Sequence, residues 1–298
     1  MHNLVSILLP TYNRLPILKK CINSLLNQNF SNYEILVVDD GSTDGTKETI
    51  SDLVKKESKI RYIWKENEGI SKTRNLCVKE SRGEYLIFVD SDAIVSSDFI
   101  KSHMLIHQKY KYPVLSQGKV IITYDFENPF NVRFNPLTDC SRAIFDTCNV
   151  SVAKEFIIKA GMFDENFYNY GWEDLELGFR LRKLGLKVIR NNKAICYHYQ
   201  PPFDIKNINL MIEKEKSRGK GAVYFLKKHP CLEVRLMTQI THFHYFLDWI
   251  ITLGGRMNEN HYLKILRWLD KRGYKKTMLA ILRVILNHYN IQEIKNNF

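Results

Sequence analysis

Tyr33-Glu34-Ile35-Leu36-Val37-Val38-Asp39-Asp40-Gly41-Ser42 is the stretch on which the reading of this chain turns. Four successive aliphatic residues with no polar alternation describe a strand covered on both faces. Two carboxylates, a glycine and a serine mark its end. The pattern recurs on either side. An apolar run over residues 4–9 stops at Pro10-Thr11-Tyr12-Asn13, residues 60–64 read as a strand, and residues 85–89 form another that ends in Asp90-Ser91-Asp92. Between them lie segments with helical spacing: residues 15–27, with Ile17, Leu18, Cys21, Ile22 and Leu25 on one face, then 43–54 and 69–79. Apolar strands separated by helices of about three turns indicate an α/β fold of Rossmann-like type, a mostly parallel sheet with helices on both faces. Ligands of such sheets bind beyond the carboxyl ends of the strands, so Thr11 and Tyr12, Asp39 and Asp40, and Asp90 and Asp92 are expected to line one crevice.

Farther along, residues 124–139, with Asn128-Pro129 and Asn135-Pro136, read as loop and 152–160 as helix. Residues 161–171 form an aromatic, acidic loop, 172–184 a helix and 187–199 one or two strands. After Gln200-Pro201-Pro202 only helical patterns remain, clearest over 261–271 and 276–288. There is no internal repeat.

The 298 residues, 45% hydrophobic and 26% charged, exclude a disordered chain and exceed a minimal binding module. Six scattered cysteines (Cys21, Cys77, Cys140, Cys148, Cys196, Cys231) contain no C-x-x-C pair, which argues against a disulfide scaffold or a zinc module and for a reducing, cytoplasmic setting. The first apolar run lacks the basic leader of a secretory signal. The longest apolar candidate for a membrane span, residues 236–253, is broken by Gln239, His242, His244 and Asp248, so no transmembrane helix is expected. The net charge of +12 is unevenly placed: residues 206–298 hold 17 basic and seven acidic side chains, leaving the first 205 residues near neutrality. A basic tail of this kind suits a polyanionic surface, lipid headgroups or nucleic acid; solubilising charge on ordinary surface helices is the plain alternative.

Three groups of residues could carry chemistry. Asp90 and Asp92, at i and i+2 on extended backbone, would point the same way and address one divalent cation, leaving positions open for phosphate oxygens. His198, in Cys196-Tyr197-His198-Tyr199, could complete that shell, since imidazole suits Mn²⁺ better than Mg²⁺; a hydrogen-bonded structural histidine is the alternative. Gly171-Trp172-Glu173-Asp174 opens a helix, where the macrodipole favours ionised acids able to accept a proton. Trp172 offers a flat face of the sort that packs on a sugar ring, with core packing as its default reading.

Taken together, these motifs resemble the GT-A fold family 2 glycosyltransferases. The pieces are Val5-Ser6-Ile7-Leu8-Leu9-Pro10-Thr11-Tyr12-Asn13-Arg14, Val37-Val38-Asp39-Asp40-Gly41-Ser42, Asn67-Glu68-Gly69-Ile70-Ser71-Lys72-Thr73-Arg74-Asn75 and Asp90-Ser91-Asp92, in the family's order. A second resemblance, through Cys148-Asn149-Val150-Ser151, Gly161-Met162-Phe163-Asp164 and Gly171-Trp172-Glu173-Asp174-Leu175-Glu176-Leu177-Gly178-Phe179-Arg180-Leu181, is to the C-terminal half of galactosyl- and N-acetylgalactosaminyltransferases, bacterial chondroitin polymerases among them.

The resemblance implies a nucleotide-sugar-binding half over residues 1–100 and an acceptor-binding and catalytic half over 101–205; charge and helical spacing, not the resemblance, mark a basic helical extension over 206–298. It implies that Pro10, Thr11, Tyr12, Arg14, Asp39, Asp40, Arg74, Asp90 and Ser91 serve the nucleotide of a UDP-sugar, with Asp40 taking the uracil N3 proton. Asp90, Asp92 and His198 would hold Mn²⁺ or Mg²⁺, which would neutralise charge on the departing UDP. Asp174 would be the catalytic base, with Glu173, Gly171 and Trp172 toward the sugars. Asp at 174, where retaining relatives carry Asn, implies inversion. The Q-x-x-R-W motif of processive synthases is absent. The implied acceptor is a saccharide, lipid-linked or peptide hydroxyl in cell-envelope or capsular polysaccharide synthesis, with the basic tail resting peripherally on the inner face of the membrane.

Two rival readings are weaker. A nucleic-acid-binding protein would use the same tail, but its aromatics fall at core-like helical spacing and the three acid clusters would go unused. A non-catalytic nucleotide-sugar binder would have no need of Asp174. A dinucleotide dehydrogenase is excluded, because no G-x-G-x-x-G follows the first strand.

Overall fold

The computed structural model describes residues 3–132, 144–167, 171–254 and 259–298. These fall into two compact units, residues 1–166 with 173–202, and residues 167–172 with 203–298.

The first unit opens with β1 (Val5–Thr11), α1 (Leu15–Leu26), β2 (Tyr33–Asp39), α2 (Thr46–Val54), β3 (Ile60–Trp64), α3 (Ile70–Glu80) and β4 (Tyr85–Phe88). It continues through β5 (Ala93–Val95), α4 (Phe99–Lys109), β6 (Val114–Thr123), β7 (Val150–Ala153), α5 (Lys154–Lys159), α6 (Glu173–Lys183) and β8 (Lys187–Tyr199). The eight strands among the described residues form one sheet in the order β3-β2-β1-β4-β7-β6-β8-β5. β3, β2, β1 and β4 run parallel, as the alternating pattern required. β7 is antiparallel to β4 and β6, β8 is parallel to β6, and β5 is antiparallel to β8, which makes the sheet mixed.

The continuous apolar strands are explained by cores on both faces. Ile7, Leu9, Ile35 and Val37 point to the side where α1 contributes Leu18, Cys21, Ile22 and Leu25. Leu8, Leu36 and Val38 point to the other, against Cys77 and Val78 of α3 and Leu177 and Leu181 of α6. Successive residues of a strand face opposite ways, so a strand buried on both faces is apolar at successive positions, and its buried polar residues need partners, as Ser6 of β1 and Glu34 of β2 find in each other.

The structure corrects several sequence expectations. Residues 152 and 153 belong to β7, because β-branched Val150 and Val152 complete the sheet beside β4; the helix starts at Lys154. Helix α2 begins at Thr46, after Asp44 has accepted bonds from the Thr46 backbone N–H and hydroxyl and from the N–H of Leu15 at the head of α1. Helix α6 begins at Glu173. Strand β8 is a single element whose pairing with β6 slips between Gly118 and Lys119. Asn149 fills that slip, donating to the carbonyls of Lys119 and Ala194. The expected loop over 124–139 is described as far as residue 132 and is irregular there; the remainder lies outside the described residues.

The second unit is helical: α7 (Ile208–Lys228), α8 (Leu232–Met237), α9 (His242–Ile251), α10 (Glu259–Lys271) and α11 (Lys275–Asn297). Its core joins Ile208 and Ile212 of α7 to Tyr262, Leu266 and Leu269 of α10 and to Met278, Leu282 and Ile285 of α11. No described helix is long and apolar enough to cross a membrane.

Candidate active site

The polar ends of β1, β2 and β4 are fastened to one another. After β1, Asn13 takes a left-handed backbone (φ 49°); its N–H donates to Ser42 Oγ at 2.8 Å and its Oδ1 accepts the Thr43 N–H at 2.8 Å. Asp39 has no exposed surface and accepts from the Ser42 N–H (2.9 Å) and the Tyr62 hydroxyl (2.6 Å). Asp40 accepts from the backbone N–H groups of Glu68 and Gly69, each at 3.0 Å, and pairs with Lys65. The pair Asp39-Asp40 thus shapes two turns before any ligand arrives. Pro10 and Thr11 are buried, with Thr11 Oγ1 lacking a hydrogen-bond partner, and Tyr12 stands exposed.

Asp90 and Asp92 do not lie on extended backbone. The Ala93 N–H donates to the Asp90 carbonyl at 3.0 Å and closes a turn around buried Ser91, which sends the chain into β5. The turn has a consequence that spacing alone does not show. In the antiparallel β5–β8 pairing Ala93 sits opposite His198, and the Tyr199 N–H donates to the Asp92 carbonyl at 2.8 Å. His198 is brought beside Asp92, with Nε2 3.1 Å from Oδ1. One ligand atom from each of Asp90, Asp92 and His198 lies within 4.8 Å of the others.

This donor set fits a divalent cation. Two carboxylates and an imidazole suit Mn²⁺ or a similar ion and leave positions open. Asp92 Oδ1 is buried and, despite the nearby imidazole, accepts no aligned hydrogen bond, as expected of an oxygen shaped for a ligand it shares with His198. Burial disfavours the charged forms of both residues, but their mutual attraction outweighs it. His198, also facing Asp90 and Asp146, is held above the ordinary imidazole value; Asp92, also facing Arg14, is held below the ordinary carboxylate value. Arg14, half exposed, closes an ion pair on Asp92.

Arg74 connects this cluster to the start of α6. It is 6% exposed, donates to Glu173 Oε1 at 2.8 Å and reaches Asp90 Oδ1 at 3.3 Å. Burial opposes its charge, but Glu173, Asp90 and Asp174 outweigh the cost and keep the guanidinium charged. Glu173 Oε2 is buried and unpartnered. Asp174 accepts a hydrogen bond from the Leu175 N–H at 2.7 Å. The helix start was expected to hold Asp174 ionised; instead burial, with the charge of Glu173 beside it, pushes its carboxyl up to about 8, against the pull of Arg74. The desolvation of a carboxyl next to a like charge exceeds the modest help of a helix N-terminus.

Gly171 and Trp172, expected on the sugar side, belong to the second unit. Trp172 is 6% exposed; its indole N–H donates to the Arg218 carbonyl at 2.8 Å, and the Arg218 guanidinium lies 5.1 Å from the ring centroid. One charged residue escaped the sequence reading. Asp146 is pushed up to about 6 by burial and by Asp90, while His198 and Arg74 pull the other way. Its backbone is held by Gln117, and its carboxylate accepts the Cys148 N–H at 3.0 Å. Its place just ahead of Cys148-Asn149-Val150-Ser151 was the only available signal.

A mixed α/β sheet with acidic strand ends, a carboxylate–imidazole cluster and a buried arginine leading to a second pair of acids has the GT-A architecture of glycosyltransferases. The chain belongs to glycosyl transferase family 2, whose model matches residues 6–166. The chondroitin synthase of Escherichia coli is 28% identical over 292 residues; the match covers 79% of this chain, which spans 41% of that synthase. Among solved structures, the mannosyltransferase PcManGT from Pyrobaculum calidifontis in complex with GDP-Man and Mn2+ superposes with a TM-score of 0.62 at 16% identity, over 99% of this chain and 88% of that one. S. aureus TarS 1-349 in complex with UDP-GlcNAc superposes with a TM-score of 0.55 at 18% identity, over 98% of this chain and 90% of the other. At these identities the superpositions speak for the fold.

Proposed function

We propose that this chain is a metal-dependent, inverting glycosyltransferase that moves a hexose or N-acetylhexosamine from a UDP-sugar to an acceptor hydroxyl, galactose or N-acetylgalactosamine being favoured. The observation that carries the reading is the convergence of Asp90, Asp92 and His198 on one point, joined by Arg74 to Glu173, the residue before Asp174. Mn²⁺ or Mg²⁺ held by those three side chains would supply charge neutralisation to the leaving diphosphate.

The remaining roles belong to the chain's own residues. Arg14, half exposed on Asp92, can turn to a diphosphate oxygen when a donor arrives. Thr11, with a free buried hydroxyl, Tyr12 and Asp40 lie toward the nucleoside, and Pro10 and Asp39 fix the turns that carry them. Arg74 pairs with Asp90 and Glu173 and holds the two carboxylates in register. Glu173 Oε2, unpartnered, can accept a sugar hydroxyl. Asp174, poised to bind a proton near neutrality, takes it from the acceptor hydroxyl as that oxygen attacks the anomeric carbon from the face opposite UDP. Displacement in one step inverts that carbon. Trp172, bonded to Arg218, anchors the segment before α6 rather than offering an open platform to the sugar.

The acceptor is a saccharide, lipid-linked or otherwise, in polysaccharide synthesis, in keeping with the name of the chondroitin synthase relative. The enzyme works in the cytoplasm, its basic segment drawn to the anionic inner face of the membrane. A panel of UDP-sugars and GDP-mannose with Mn²⁺, scored for hydrolysis without acceptor, tests the reading. Release of UDP from one sugar of the panel is expected; turnover of GDP-mannose alone, or of none, contradicts it.

A further inference from the structure

Helix α9 is built inside out. Of its ten residues the one that is buried is Asp248, while Phe243 is 68% and Trp249 57% exposed, and Phe246, Leu247 and Ile250 stand exposed with them. A surface helix in water ordinarily turns its apolar stripe inward and its charges out. Here the inward carboxylate is held by α11: His288 Nδ1 lies 2.7 Å from Asp248 Oδ1 and Lys295 Nζ 3.2 Å from Oδ2. Thr241 caps the helix by accepting the His244 N–H. Rolling α9 over would strip the His288 imidazole and the Lys295 ammonium of their buried carboxylate partner, so the outward apolar face is specified. Leu232 and Leu236 of α8 and Leu253 after α9 are exposed as well.

We propose that α9 lies in the plane of an anionic phospholipid bilayer and sinks this face into the headgroup–acyl boundary. The inference deepens the membrane part of the function proposed above and rests on it. Two observations favour lipid over a second copy of the chain. The unit that carries the face holds an excess of ten positive charges over residues 206–298, which repels its own kind and attracts anionic headgroups. The face itself is rich in tryptophan and phenylalanine, the side chains that settle at membrane interfaces. At ten residues the helix is about 15 Å long, half the hydrocarbon thickness, so it lies flat and does not cross.

The test uses the full chain with phosphatidylcholine–phosphatidylglycerol vesicles carrying bromine on the acyl chains. Tryptophan fluorescence should be quenched on binding, and Trp249→Phe should remove most of the quenching. Phe246→Ser/Trp249→Ser should cosediment with the vesicles at least tenfold more weakly, with an unchanged thermal midpoint and unchanged UDP-sugar hydrolysis in vesicle-free solution. Equal binding by the double variant would overturn insertion while leaving electrostatic attraction standing. Absence of binding by the parent chain would overturn both, as would a dimer that covers this face and leaves vesicles alone. None of these outcomes touches the sugar-transfer reading, which the hydrolysis assay reports separately.

Discussion

Asp174 takes its character from competing forces on a single carboxyl. Burial and the charge of Glu173 favour the protonated acid, whereas Arg74 and the Leu175 N–H favour the ion. The proposed base works only when deprotonated. Because its value is raised, the active fraction grows with pH, so kcat/KM should climb from about pH 6 towards about pH 8, and a flat profile over that range would remove Asp174 from the role. Asp174→Asn should leave UDP affinity near the parent's, by calorimetry, and lower kcat by about 10²–10⁴-fold. Asp92→Ala acts on a different quantity. It should abolish Mn²⁺ binding at the cluster, measured by electron paramagnetic resonance, and UDP release with it. Much of this was legible in the sequence, because polar residues directly after a buried strand have few other reasons to be there. The tie between Asp92 and His198 was expected from the family resemblance and not from local pattern: it depends on β5 turning back to pair with β8, 106 positions farther on, a register that local pattern does not encode.

At the scale of elements, the fold was easiest to read where packing demands uniformity. Strands β1, β2 and β4 are apolar on both faces and announce themselves. Strand β6 passed unnoticed because it carries Ser116, Gln117 and Gly118, polar or small residues satisfied by partners distant in sequence. His103 of α4 bonds Ser116 Oγ at 3.0 Å and Asn149 Oδ1 at 2.9 Å, and His107 bonds Ser151 Oγ at 2.8 Å. Burial drives both imidazoles down, His103 to about 3 and His107 to about 4, so they fold neutral. Depressed values mean that the unfolded chain binds more protons below the ordinary 6.5, and the stabilisation present above 6.5 is lost as pH falls. Asp146 and Asp174, with raised values, take up protons on folding and offset this loss in the global unfolding free energy, so the histidines are best read singly. In an NMR titration neither imidazole should change its ring resonances between pH 7 and 5, and a midpoint near the ordinary imidazole value would mean that the histidines are not enclosed as described. The same network leaves no room at Gly118, where an added methyl would fall 2.1 Å from Asn149 Oδ1. Gly118→Ala should therefore cost about 1–3 kcal/mol, seen as a lowered thermal midpoint.

On the scale of the whole molecule, the chain combines a family 2 glycosyltransferase unit with a basic helical unit whose outward face is apolar. The first was recognisable from ordered motifs. The second was legible only as charge and helical spacing, since which face of α9 points outward is decided by the pairing of Asp248 with His288 and Lys295. The proposed transfer requires that the three side chains at the edge of the sheet share one ion that receives the donor's diphosphate. Anomalous diffraction from crystals grown with Mn²⁺ and UDP tests this directly. A single peak within coordinating distance of Asp92, His198 and a diphosphate oxygen is the predicted result. A peak elsewhere, or UDP bound with Arg14 still on Asp92 and no ion between the aspartate and the histidine, would contradict it.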